Sequence, residues 1–145
     1  DAAPQVQLVK SDLAAFSLDE HKGKYIVLNV FPSIDTGVCA MSVRKFNQFA
    51  ASLPDTIVLC ISRDLPFAQG RFCAAEGIEN VGVLSDFRRT STFGTDYGLQ
   101  MADGPLAGLL ARAVVVVAPD GKVSHVEVVP EITTEPDYEG ALKAV

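Results

Sequence analysis

The sequence predicts an α/β layered fold with a mixed sheet. Three observations carry that prediction. Short, nearly continuous apolar runs recur along the chain, the form taken by strands buried on both faces of a sheet. Stretches with helical spacing separate the first three runs, as parallel crossovers require. A tight-turn signal, Pro119-Asp120-Gly121, then joins the last two runs into a hairpin.

In order, residues 24–31 (KYIVLNVF) form the first apolar run. From Cys39 the apolar positions Cys39, Val43, Phe46, Ala50 and Leu53 step by four and three, which defines one helix face. Pro54-Asp55 breaks the chain before a second strand at 56–62 (TIVLCIS). A second helix is expected over 65–76, with Asp64 as N-cap and Gly77 just beyond its end. A strand at 81–84 and a weaker helix at 89–97 follow. The hairpin joins 114–118, within the apolar run 113–118, to 122–129, where Val123, Val126 and Val128 are apolar. Thr134-Glu135-Pro136-Asp137 reads as an N-cap box opening a C-terminal helix. Crossovers first and a hairpin afterwards suit a thioredoxin-like architecture: a central mixed β-sheet flanked by helices, in one domain spanning 1–145.

Composition narrows the function. With 145 residues the chain can bury a real core without disulfide staples. A formal net charge of -6 argues against a nucleic-acid partner. No apolar stretch approaches the roughly 18 residues of a membrane span, and the N-terminus shows no signal peptide. The three cysteines include no Cys-x-x-Cys pair, and the two histidines, His21 and His125, fall in expected surface stretches, so no metal site is expected. Three reduced, inert thiols are the plain alternative to any chemistry.

The chemistry concentrates at Cys39. A buried strand ends near Phe31, a loop with Pro32 and Gly37 follows, and Cys39 opens a helix. A helix N-terminus offers unpaired N–H groups and the positive end of the dipole. Such surroundings favour a thiolate, the form that attacks an O–O bond. Thr36 stands where a thiol–disulfide exchanger would carry its second cysteine. A hydroxyl cannot form a disulfide, but it can hydrogen-bond a thiolate or a peroxide oxygen. Thr36 as a simple helix cap is the other reading.

Pro32, Thr36 and Cys39 match the Pro-x-x-x-Thr-x-x-Cys signature of the peroxiredoxins. Residues 29–39, 42–47, 64–69, 71–73, 111–116 and 131–138 further resemble the bacterial thiol peroxidases, the atypical two-cysteine peroxiredoxins. The resemblance spans nearly the whole chain, although the N-terminal β-hairpin usual in that family is not seen before Asp1. It implies Cys39 as the peroxidatic cysteine, Thr36 as the residue that orients the peroxide, and Pro32 as a shield against water. It implies Arg112 beside the sulfur, where spacing alone would read an ordinary strand-end charge. It also implies Cys73 as the resolving cysteine within the same chain and leaves Cys60 structural. Hydroperoxide as substrate, thioredoxin as reductant, a homodimer and no cofactor follow from the same resemblance; the cytoplasm is favoured over the periplasm. Two other classes compete: a dithiol oxidoreductase, tested by insulin reduction, and a non-enzymatic redox sensor, which would consume one peroxide per molecule instead of cycling.

Overall fold

A computed structural model describes residues 2–4, 7–21, 23–53, 55–129 and 135–145. Strands β1 (Leu8–Lys10), β2 (Ala15–Phe16), β3 (Tyr25–Val30), β4 (Thr56–Ser62), β5 (Gly82–Ser85), β6 (Ala113–Val117) and β7 (Val123–Val128) form one mixed sheet. Its spatial order is β2-β1-β5-β4-β3-β6-β7. Helices α1 (Gly37–Ala50) and α2 (Pro66–Glu76) are the crossovers that make β3, β4 and β5 parallel. A short α3 (Phe93–Asp96) and a C-terminal α4 (Tyr138–Lys143) complete the helices. The sheet at residues 113–128 is the expected antiparallel hairpin, with Gly121 at φ 83° in its turn.

Why the central strands read as continuous apolar runs is visible in the packing. Alternate side chains serve opposite faces. Ile26, Leu28 and Val30 join one apolar cluster with Ala113, Val115 and Val117. Val27 and Phe31 join the other with Val114, Val116 and the α1 residues Val43 and Phe46. Both faces are therefore dry, and only the second carries α1.

Three local expectations need correction. Asp64 does not cap α2: Leu65 is the N-cap, without a side-chain bond, and Pro66 opens the helix. The Asp64 carboxylate is occupied elsewhere, accepting from the Ile34 N–H at 2.7 Å and from the hydroxyls of Ser33 and Ser62 at 2.8 and 2.6 Å. Gly77 does end α2, at φ 66°. The helix expected over 89–97 shrinks to Phe93–Asp96. Its upstream Ser and Thr residues bond locally instead, Ser91 donating to Asp86 and Thr92 to Asp96. The strands β1 and β2 were not expected at all. They are three and two residues long, too short for a periodic signal, and turn through Leu13 at φ 71°. The cap of α4 is Asp137, which accepts from the Gly140 N–H at 3.1 Å. Thr134 and the rest of the 131–134 segment lie outside the described residues.

Candidate active site

The ends of β3 and β4 and the start of β6 converge on the N-terminus of α1. β3 is the partner of both β4 and β6, so its C-terminal end lies beside the end of β4 and the beginning of β6. The Phe31 N–H still bonds the Ile61 carbonyl at 3.0 Å, which extends the ladder to the edge of the loop. Pro32 is buried next to it. The loop then turns under the grip of Asp64, whose bonds to Ser33 and Ile34 fasten it to the β4–α2 connection. Sequence reasoning missed this clamp because Asp64 also had the right place to be a cap.

Thr36 is the N-cap of α1. Its Oγ1 donates to the Ser33 carbonyl at 3.1 Å and accepts from the Cys39 N–H at 3.4 Å. The capping reading is thus what the geometry contains, and it holds the hydroxyl against the first turn. Cys39 is the third residue of that turn and its residue is completely buried. Arg112, at the residue before β6, is 1% exposed and donates from Nη2 to the Cys39 Sγ at 3.2 Å. Its carbonyl accepts from the Val129 N–H at 2.9 Å, so the hairpin fixes its backbone. A buried guanidinium is costly to desolvate and demands close partners; here it meets a sulfur that would carry negative charge as thiolate. Two residues 73 positions apart in sequence are thereby in contact.

Tyr138 of α4 packs edge-on against Phe46 of α1, with centroids 5.2 Å apart. Burial pushes its hydroxyl pKa well up, Glu135 pushes it further, and the Arg112 charge opposes both. A third polar chain lies behind the cysteine. Buried Asn29 donates to Ser42 Oγ at 3.2 Å, and Ser42 donates to the Cys39 carbonyl at 2.8 Å. Asn29, the one polar residue inside the apolar β3 run, was the available signal for it.

The three thiols are all free. Cys60 belongs to the same apolar cluster as Cys39, and Cys73 packs against that cluster from α2. Their environments differ. Cys60 is wholly enclosed in β4, and burial pushes its pKa up to about 12, against a hydrogen bond from Asn29 that pulls it down. Cys73 is half-buried, and burial raises its pKa too. Enclosure keeps the Cys60 thiol protonated, so it is a poor nucleophile. Iodoacetamide applied to the folded, reduced protein at pH 8 is expected to leave Cys60 unmodified, and Cys60→Ser to retain most peroxide turnover. An inactive but folded Cys60→Ser variant would contradict that assignment.

The chain matches the Redoxin family over residues 1–142. It is 57% identical to the thiol peroxidase of Corynebacterium glutamicum over 145 residues, covering all of this chain and 87% of that protein. Identity is also 57% to the thiol peroxidase of Mycobacterium bovis, over 99% of this chain and 85% of the relative. Among solved structures, a peroxiredoxin-like protein from Aquifex aeolicus superimposes with a TM-score of 0.92 at 42% identity, over 99% of this chain and 84% of that one.

Proposed function

Because this chain belongs to the redoxin family and is a thiol-dependent peroxidase of the peroxiredoxin type, we propose that Cys39 is its attacking thiol, Arg112 its charge partner and Cys73 its resolving thiol. The observation that carries this reading is the 3.2 Å contact between Arg112 Nη2 and the sulfur of Cys39, a buried residue in the first turn of α1.

The chemistry then runs in balanced steps. The Cys39 thiolate attacks one oxygen of the hydroperoxide, an S–O bond forms and the O–O bond breaks. Cys39 becomes a sulfenic acid and the other oxygen leaves as water or an alcohol after taking a proton. Negative charge passes from sulfur to the leaving oxygen, and fixed donors along that path stabilise it. Arg112 sits at its start; Thr36, held against the first turn, supplies a hydroxyl to orient the peroxide. Buried Pro32 keeps bulk water from the sulfur. Next the Cys73 thiol attacks the sulfenic sulfur, forming a disulfide and releasing water. A thioredoxin-type dithiol in the cytoplasm reduces that bond, and a homodimer is the assembly in which this happens.

A disulfide needs Cα atoms about 4.4–6.8 Å apart. Cys73 sits near the C-terminal end of α2, while the Cys39 sulfur is buried against Arg112. Closing the bond therefore calls for local unwinding of one or both helices. Stoichiometric peroxide should give a monomer-sized disulfide species, and peptide mapping should join Cys39 to Cys73. A Cys39–Cys60 link, or bonds only between chains, would overturn the assignment. Continuous peroxide consumption with thioredoxin, thioredoxin reductase and NADPH tests the reductant; no turnover with that couple, alongside turnover with a small dithiol, would exclude it.

A further inference from the structure

Helix α2 has a glycine in its middle for which its surroundings give no reason. Gly70 lies inside Pro66–Glu76, outside the set of glycines with positive φ, and a Cβ built on it meets nothing within 4 Å. Two comparable glycines have a visible reason. Gly77 adopts the left-handed conformation that ends α2, and a Cβ on Gly94 would meet Arg63 at 2.9 Å and Gln100 at 3.1 Å. At Gly70 alanine would fit, yet glycine in a helix interior weakens the helical state about four- to fivefold relative to alanine.

The position of this weak point matters. On its N-terminal side α2 is well fastened. Gln69 is completely buried, and its Nε2 donates to the Leu84 carbonyl at 2.9 Å and to Ser62 at 3.1 Å. Pro66 is buried as well. On the C-terminal side only Phe72 is buried, and Cys73 is half-buried beside it. The ion pairs that tie this half to α1 and its loop, Arg71–Asp35 and Arg44–Glu76, are formed by side chains a third to two-thirds exposed. Such pairs contribute little. A fastened half and a lightly held half thus meet at a residue with low helix propensity, three positions before Cys73.

Resting on the reading that Cys39 and Cys73 are the catalytic pair, we propose that Gly70 is the break point at which residues 71–76 unwind to deliver Cys73 to the Cys39 sulfenic acid. Gly70 thereby sets the rate of resolution against the rate of over-oxidation. In resolution the S–S bond forms, the sulfenic S–O bond breaks, and the Cys73 proton leaves with the hydroxyl as water. In the competing step a second hydroperoxide oxidises the sulfenic acid to a sulfinic acid and is itself reduced to water or alcohol. Slower unwinding lengthens the life of the sulfenic acid and favours the second route.

Gly70→Ala tests this, with Ala74→Gly, at an exposed position of the same helix, as its converse. Each variant would be fully reduced and pulsed with stoichiometric hydrogen peroxide. The first oxidation would be followed by stopped flow, and disulfide formation by acid quench and thiol labelling. In Gly70→Ala, disulfide formation is expected to slow about four- to fivefold, with amide exchange of residues 71–76 slowed alongside and the first oxidation unchanged. Sulfinic acid at Cys39 should appear at correspondingly lower peroxide, while the melting temperature rises. A gain in stability with a loss of resolution is not what structural damage produces. Ala74→Gly should move resolution and exchange the other way. Wild-type resolution rates in both variants, with the Cys39–Cys73 bond still forming, would overturn the role of Gly70 alone. Absence of that bond in the wild-type protein would overturn the pairing on which it rests.

Discussion

Cys39→Ser is expected to abolish hydroperoxide turnover, lowering it by at least about a thousandfold while leaving the fold intact. A hydroxyl at this position stays protonated at neutral pH and is a weak nucleophile without an adjacent general base. The substitution nearly conserves volume at a residue that is completely buried. The melting temperature should therefore shift by only a few degrees, which separates loss of chemistry from loss of structure. Three probes check the result: steady-state peroxide consumption, circular dichroism, and trapping of sulfenic acid with a dimedone-type reagent. The variant should show native ellipticity, no consumption above the uncatalysed background, and no adduct at position 39. A folded Cys39→Ser protein retaining even a few per cent of wild-type turnover would move the attacking thiol elsewhere. Cys73 would then be the thiol to test, because Cys60 is enclosed and its pKa is pushed up to about 12.

How much of this site could be read in advance depends on the range of the interactions. The β3–α1 unit was legible because its signals are local: an apolar run, a loop with Pro32 and Gly37, and a cap at Thr36 three residues before Cys39. The 113–128 hairpin was legible for the same reason, through Pro119-Asp120-Gly121. Contacts made across the sheet were not. Nothing near Arg112 in sequence indicates that it will meet a sulfur from another element; only the family resemblance pointed there, and the register of β3 against β6 is what accomplishes it. The Asp64 clamp was misread because a carboxylate before a helix has two uses, and local spacing favours the cap. Asp64 instead satisfies the turning backbone at Ile34 and the hydroxyl of Ser33, on a segment far away in sequence. β1 and β2 fell below the length at which alternation can be recognised; β1 is held by pairing with β5, and β2 by pairing with β1, rather than by their own pattern.

Arg112→Lys should slow the reaction with hydrogen peroxide about ten- to a hundredfold and leave the disulfide step nearly unchanged. Hydrogen bonds to charged groups contribute about 1.5–3 kcal/mol, which sets that range. Lysine keeps the charge but replaces a rigid, planar fork by a point charge on a shorter stem. Its three donors share one nitrogen, so they do not reproduce the spaced, coplanar donors of the guanidinium that places Nη2 3.2 Å from the Cys39 sulfur. Arg112→Met, which removes the charge and keeps much of the bulk, should be slower than the lysine variant. The order arginine, lysine, methionine then divides the effect into geometry and charge. Stopped-flow rates under single-turnover conditions isolate this step from reduction by a dithiol, and acid-quenched labelling follows Cys73 separately. If Arg112 merely filled space at the start of β6, methionine would serve better than lysine, since an ammonium in this buried place is costly. A methionine variant as fast as wild type, or faster than the lysine variant while both remain folded, would therefore remove Arg112 from the chemistry and return it to a packing role.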